Sequence, residues 1–252
     1  MKRWFWGLIP AAVVAALWIV LLSRPVPTPQ AGERLLEAAR ELDEIDIQAT
    51  FDPDNQTLRV SQTLTLTNRT GKDQEELVLR TYAAAFRDEE YAPSATEELH
   101  SLCYPKGFSA GGLQITSTDF SYTYADDART VLVIPMDNRW VNEETITLQI
   151  NYTLIIPAAA YRFGENDSIF ALGNAFIIPA AYIDGSYRTD EYYSIGDPFV
   201  SECRNYTVRL TLPQGYTAVG SGAAVTEDQV TTFTAPACRD FAVCISQAYQ
   251  QA

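Results

Sequence analysis

Ile146 to Leu154 reads ITLQINYTL, and this stretch decides the fold class. Ile146, Leu148, Ile150, Tyr152 and Leu154 alternate strictly with Thr147, Gln149, Asn151 and Thr153. Side chains on a β-strand point to opposite faces in turn, so a period of two marks a strand with one face buried and the other in water. Antiparallel sheets carry this pattern, because one of their faces is commonly solvated.

Moving outward, the same rhythm recurs. Tyr206, Val208, Leu210 and Leu212 alternate with Thr207, Arg209 and Thr211. In Leu58 to Leu66, LRVSQTLTL, the residues Leu58, Val60, Leu64 and Leu66 share a face that only Gln62 interrupts. Further strands are expected over 76–82, 113–120, 130–135, 217–220, 229–234 and 240–246. Turn clusters separate them, at Asp52-Pro53-Asp54-Asn55, Asn68-Arg69-Thr70-Gly71, Asp137-Asn138 and Pro213-Gln214-Gly215. Many short strands with regular turns indicate an all-β fold, a saddle-like antiparallel β-sandwich. Two long stretches break the rhythm, Ala83–Gly112 and Asn174–Pro198, and connections of that length are functional or disordered.

The amino terminus is different. Trp4 to Leu22 is a run of 19 uncharged residues behind Lys2 and Arg3. A helix of about 20 apolar residues crosses a bilayer, and basic residues stay on the cytoplasmic side. The run is longer than the apolar core of a cleaved signal peptide, and no small-x-small site follows Leu22. One transmembrane signal-anchor helix over 1–24 is therefore expected, with a cleaved signal as the alternative. Either places the rest outside the cytoplasm, as a membrane-anchored or a secreted protein. Pro25, Pro27 and Pro29 form a stiff spacer, and Leu35, Leu36, Ala39 and Leu42 give a short amphipathic helix within 25–44. The β-domain is expected over 45–252.

Of the 252 residues, 47% are hydrophobic, enough to bury a sizeable core, and the formal charge is −14. With only 18 Lys and Arg, the chain lacks the basic stripe that nucleic acid demands. Cys103, Cys203, Cys238 and Cys244 contain no Cys-x-x-Cys, and both disulfides and free thiols stay open. Cys238 and Cys244 fall in one strand-like run and are expected on the same side of it, about 20 Å apart.

Candidate chemistry is sparse. His100 is the single histidine, set among acidic residues, and a triad, a His–Cys pair or a zinc site would each have to use it. No metal ligands and no catalytic residues are assigned. The glycines of Gly107–Gly112 are not followed by Lys-Ser/Thr, which excludes a P-loop. Carboxylates at Asp126-Asp127 and at Asp184, Asp190 and Glu191 have calcium-like chemistry without the spacing of a calcium loop, so solvated turns are expected. Asn55, Asn68, Asn151, Asn166 and Asn205 each start an Asn-x-Ser/Thr triplet, which Thr-rich strands also produce incidentally.

A longer pattern runs through Tyr161–Tyr216, YRFGENDSIFALGNAFIIPAAYIDGSYRTDEYYSIGDPFVSECRNYTVRLTLPQGY. Ordered pieces are Tyr161-Arg162-Phe163-Gly164, Leu172-Gly173-Asn174, Pro179, Asp184-Gly185, Tyr192-Tyr193, Gly196-Asp197-Pro198-Phe199 and Asn205-Tyr206-Thr207-Val208. Ahead of them lie Ile45–Asp52, Leu58–Asn68, Tyr104-Pro105-Lys106-Gly107-Phe108-Ser109, Gly112–Ile115 and Leu148–Pro157; Arg239-Asp240-Phe241-Ala242 follows. Together they resemble the amino-terminal β-domain of M1-family zinc aminopeptidases, nearest to bacterial, clostridial-like members, over about 45 to 246. Gln62 stands where the family usually has Gly.

The resemblance implies a non-catalytic domain that packs on a thermolysin-like catalytic domain and shapes its cleft. The zinc, its ligands and the general base belong to that other domain. No His-Glu-x-x-His and no Gly-x-Met-Glu-Asn occurs in these 252 residues, so the catalytic domain is expected to be absent from the chain, joined to it in cis in a longer protein or met in trans. In the family one loop offers Gln or Glu to the substrate's free amine; its position here falls at Asn174. An amide accepts from an ammonium but brings no opposite charge, and holding a turn is the competing role. Peptide is the implied ligand of the cleft. Aromatics within Asn174–Phe199 are expected to be exposed and covered by the partner domain. The alternative reading is a stand-alone, membrane-anchored β-sandwich binding module; a hydrolase built on two carboxylates has no pair that stands out.

Overall fold

The computed structural model describes residues 34, 36–94, 96, 98–190, 192–195 and 199–249. The chain divides into two units, 1–40 and 41–252, and all described strands lie in the second. Residues 4–22, read as a membrane helix, and the proline spacer lie outside the described residues. Among the described residues no helix is long and apolar enough to cross a membrane. Residues 34 and 36–39 are helical, within the expected amphipathic helix. Glu44, the last residue of the segment expected to hold the helix, already opens the first strand.

Among the described residues, seventeen strands follow in chain order. The first seven are β1 (Glu44–Asp52), β2 (Thr57–Thr67), β3 (Gln74–Arg80), β4 (Gly112–Thr118), β5 (Thr123–Tyr124), β6 (Val131–Trp140) and β7 (Thr145–Ile155). Next come β8 (Phe163–Asn166), β9 (Ile169–Leu172), β10 (Ile178–Pro179), β11 (Tyr182–Ile183) and β12 (Ser186–Tyr187). The last five are β13 (Arg204–Thr211), β14 (Thr217–Gly220), β15 (Ala223–Glu227), β16 (Val230–Cys238) and β17 (Val243–Ser246).

They form a mostly-β body of several sheets. The largest has seven strands, in the order β15-β16-β13-β1-β2-β7-β4. Two four-stranded sheets, β10-β3-β6-β5 and β14-β17-β9-β8, accompany it, with a small hairpin of β11 and β12. The expectation of a purely antiparallel fold is corrected: β1 pairs with β13 in parallel, Glu44 opposite Asn205 through Thr50 opposite Thr211, and Ser94 forms an isolated parallel bridge with Ile195. Alternation could not reveal this, because a half-buried strand shows period two whichever way its neighbour runs.

The alternating stripes face one core. Ile45, Ile47, Ala49 and Phe51 of β1, Leu58, Val60, Leu64 and Leu66 of β2, and Tyr206, Val208 and Leu210 of β13 are all buried in it. In β7, Ile150, Tyr152 and Leu154 are fully buried, while Ile146 and Leu148 sit half-buried at the rim. Each fully buried Leu, Ile or Phe side chain contributes roughly 1.5–3 kcal/mol. The outer face is lined with threonines that bond across strands, Thr67 to Thr145 at 2.9 Å.

Gln62 is fully buried within this apolar stripe, and both ends of its amide are used. Its Nε2 donates to the Ile177 carbonyl at 2.6 Å, and its Oε1 accepts from the Tyr152 hydroxyl at 2.6 Å. Burying an amide is tolerable when its donor and acceptor are both met.

The two long stretches are packed. In Ala83–Gly112, a 3₁₀ helix at Tyr82–Arg87 buries Tyr82 through Phe86, and one α-helical turn forms at His100–Cys103. Cys103, Tyr104, Ala92 and Ala159 make a small satellite core there. In Asn174–Pro198, β10 joins the edge of β3 and an Asp184-Gly185 turn closes the β11–β12 hairpin, both residues at positive φ (54° and 83°).

The cysteine expectation is also corrected. Cys238 ends β16 and Cys244 lies in β17, so they are on different strands rather than on one straight run. All four cysteines are free thiols.

Candidate functional site

Leu172, the last residue of β9, is buried in the core, and the chain turns immediately after it. The Gly173 N–H donates to the Arg162 carbonyl at 2.7 Å, and a Cβ at Gly173 would stand 3.2 Å from that oxygen. Asn174 follows at φ 52°, the left-handed region that Asn tolerates better than most residues.

Asn174 joins two segments of distant sequence. Its backbone N–H and its Nδ2 both donate to Asp240 Oδ2, at 3.0 and 2.8 Å. Its Oδ1 accepts from Arg162 Nη1 at 3.3 Å. Asp240 lies in the turn between β16 and β17, inside Arg239-Asp240-Phe241-Ala242. Burial pushes the Asp240 carboxyl up to about 6, against the N–H groups of Asn174 and Phe241 and the Arg162 charge, which pull it down. Its other oxygen, Oδ1, has no hydrogen-bond partner among the described residues.

Around this triad, guanidinium planes and rings interleave. Arg162 lies over Phe199 at 4.7 Å and over Tyr161 at 5.4 Å. Phe199 meets Tyr82 edge-on at 4.7 Å, and Arg80 stacks on Tyr82 at 4.6 Å. Arg80 also donates to the carbonyls of Arg188 and Asp190. Burial raises the Tyr192 and Tyr82 hydroxyls above their usual range, which keeps both neutral donors at physiological pH. The arrangement holds a largely buried carboxyl, raised to about 6 by that burial, beside a set of neutral hydroxyls.

The expected exposed aromatic patch is corrected here. Phe176 and Tyr192 are buried, and Tyr182, Tyr187 and Phe199 are half-buried within the domain itself. Of the described aromatics in this stretch, Tyr193 alone is widely exposed, at 63%. They are covered because β10 and the β11–β12 hairpin fold back over β3.

The remaining candidates resolve into local structure. His100 begins the short helical turn and packs against Tyr104, 4.8 Å between ring centres. Asp126 accepts from the Thr130 N–H and hydroxyl and from the Val131 N–H, fastening the entry to β6. Asp184 makes the hairpin turn, and Asp190 pairs with Arg188 at 2.7 Å. No group of three or more His, Cys, Asp or Glu that could hold a metal occurs among the described residues.

Asn68 is fully buried, with its Nδ2 donating to the carbonyls of Lys72 and Trp140 and its Oδ1 accepting from Thr70. In the folded chain that amide is closed to glycosylation.

Sequence reasoning marked Asn174 by position but missed Asp240 and Arg162 as its partners. The signal available was the pair of resemblance segments themselves, 172–174 and 239–242, each a short polar break between apolar runs.

No family model matches the chain, and no curated protein matches it. Among solved structures, the chain is similar to an M1 zinc metallopeptidase from Deinococcus radiodurans, at 14% identity and a TM-score of 0.46, covering 81% of this chain and 42% of that one. It is also similar to yeast LTA4 hydrolase in complex with bestatin, at 13% identity and a TM-score of 0.40, covering 81% of this chain and 28% of the other. The chain thus spans less than half the length of these proteins. Likeness at this level carries no argument about activity.

Proposed function

We propose that residues 45–252 are the non-catalytic amino-terminal β-domain of an M1-like zinc aminopeptidase of bacterial, clostridial-like type. In this reading the saddle-like body packs on a thermolysin-like catalytic domain, in cis or in trans, and forms part of the wall of its peptide cleft. Zinc and the catalytic groups reside in that partner. Residues 4–22 hold the domain at the outer face of a membrane as an uncleaved anchor.

One observation carries the reading. Two segments of the sequence resemblance, Leu172-Gly173-Asn174 and Arg239-Asp240-Phe241, are fastened to one another by two hydrogen bonds from Asn174 to Asp240. Pieces that resemble the family separately thereby build one local structure, at the turn where the family offers a residue to the substrate amine. Here Asn174 is engaged on both sides of its amide, so its role is to set that turn and to fasten it to Asp240, whose Oδ1 is buried.

The test is to read the DNA beyond codon 252 and to purify whatever catalytic domain it encodes together with this chain. The expected result is Gly-x-Met-Glu-Asn followed by His-Glu-x-x-His, and aminopeptidase activity from the joined protein. An unrelated gene there, together with no M1 catalytic domain in the same genome that binds the purified chain, overturns the proposal.

A further inference from the structure

β4 is the last strand of the seven-stranded sheet, and β5 is the last strand of the β10-β3-β6-β5 sheet. A groove of about 420 Å³ separates these two edges, with Leu113 and Ile115 on one wall and Tyr122 and Tyr124 on the other. It shares no residue with the Asn174–Asp240 turn.

The pairing of β7 fixes which backbone groups of β4 face the groove. The Ile156 N–H donates to the Gln56 carbonyl at 2.8 Å, on the β2 side. Bonding alternates along an antiparallel strand, so Leu154 and Tyr152 also bond to β2, while Ile155 and Thr153 bond to β4. Their partners on β4 are Gly112 and Gln114. Leu113 and Ile115 therefore turn their N–H and C=O groups to the outer edge. Gly111 does the same, and its N–H reaches the Phe86 carbonyl at 2.9 Å. A bulge between Ile115 and Ser117 ends the regular stretch. At about 3.3 Å per residue, Gly111–Ile115 can pair with roughly four or five residues of another strand.

An uncovered edge is a template for a further strand, and proteins usually blunt it with charge or proline. Gly112–Thr118 has neither. The other end of the same sheet, β15, is exposed along its whole length and has no such wall beside it.

Charge selects the occupant. Arg87 and Arg129 line the groove, and no carboxylate does. Arg87 Nε is taken by Asp88 at 2.6 Å. Arg129 is exposed, lies 5.6 Å from the centre of the Tyr124 ring, and has no ion-pair partner among the described residues. Asp126, in the same turn, spends its carboxylate on Thr130 and Val131. The basic end of the groove is the Gly112 end. Arg87 donates to the Asp127 carbonyl at 3.2 Å, and a Cβ at Gly112 would stand 3.5 Å from the Arg87 backbone nitrogen. A peptide running antiparallel to β4 brings its own carboxyl terminus to that end. We propose that this edge binds the free C-terminal tail of a partner polypeptide by strand addition. The tail's carboxylate meets Arg129, and its alternate apolar side chains lie against Leu113, Ile115 and the two tyrosines.

The test titrates the full chain in detergent with fluorescein-labelled Gly-Ser-Thr-Val-Thr-Val, as the free acid and as the C-terminal carboxamide. Fluorescence anisotropy reads binding, and amide hydrogen exchange reads location. The expected result is binding of the acid, with the carboxamide about ten-fold weaker. Bound peptide should slow exchange at Leu113 and Ile115 and leave Val225 of β15 unchanged. Arg129→Gln should lower the acid to the affinity of the carboxamide, leave the carboxamide where it was, and keep the thermal melt of the parent. Absence of binding up to the solubility limit of the peptide overturns the proposal. So does equal binding of acid and carboxamide, binding without slowed exchange at Leu113 and Ile115, or an acid preference that survives Arg129→Gln in a folded protein.

Discussion

The Tyr152 hydroxyl donates to Gln62 Oε1 at 2.6 Å inside the core, ninety residues away along the chain. Gln62 in turn donates to the Ile177 carbonyl, so β2, β7 and the segment leading into β10 are tied by one buried amide. Such a network supports the fold only while each member is met.

Tyr152→Phe is therefore expected to cost about 1–3 kcal/mol, because it leaves Gln62 Oε1 buried without a donor. Gln62→Leu should cost a similar amount by stranding the Ile177 carbonyl. Urea denaturation of both single variants and of the pair checks this. The double variant should lose less than the sum, since each change removes the same hydrogen bond.

Asp240 gives a pH signature. Its carboxyl titrates near 6 in the folded chain against an ordinary value of 3.8, so the folded state binds the proton more tightly than the unfolded one. Stability from this group is full below about pH 4, falls as pH rises toward 6, and is level above that. Asp240→Asn keeps an acceptor for Asn174 and removes the charge. The variant should be more stable than the parent by about 3 kcal/mol above pH 6, with the difference vanishing near pH 4. A difference curve of denaturation midpoints between pH 4 and 7.5 reads this directly.

Asn68→Ala should be among the most damaging polar substitutions. It strands the Trp140 carbonyl and the Thr70 N–H, now met at 2.8 and 3.1 Å, and leaves the Lys72 carbonyl with the Thr70 hydroxyl alone. A loss of about 3 kcal/mol is expected. Chemical denaturation measures it, and intact mass after expression in a glycosylating host should show no sugar at Asn68.

Gly164→Ala tests close packing at the start of β8. The added Cβ would stand 2.3 Å from the Ala159 carbonyl oxygen, so backbone must shift. A cost of about 1–3 kcal/mol is expected by thermal melting. By contrast, Asp46→Asn should change stability by less than about 0.5 kcal/mol, because its pair with Arg209 at 2.7 Å is well exposed on both sides.

Much of the fold was legible because alternation is a local signal. β7, β2 and β13 follow from their residues alone. The β8–β9 hairpin escaped notice because its turn uses Asp167 and Ser168 at positive φ (51° and 65°), where glycine is the usual marker. The β11–β12 hairpin carried an Asp184-Gly185 signal between Tyr182-Ile183 and Ser186-Tyr187, masked by the irregular stretch around it. Non-local facts stayed hidden for a physical reason. Gln62 reads as a flaw in a stripe until Tyr152 and Ile177 are brought to it, and Asn174 reads as a turn residue until Asp240, 66 residues on, closes against it.

The parallel pairing of β1 with β13 sets the order of assembly. β1 leaves the ribosome early and finds β2 at once across a short turn, but its other edge faces Asn205–Thr211. Some 160 residues must be made before that edge is closed. Until then the nascent chain carries an open strand edge with apolar Ile45 and Ile47 beside it, the kind of surface that invites pairing with other chains. Large sequence separations of this kind slow folding. The time between synthesis of Asp52 and of Thr211 is thus the interval in which this protein most needs protection from its neighbours.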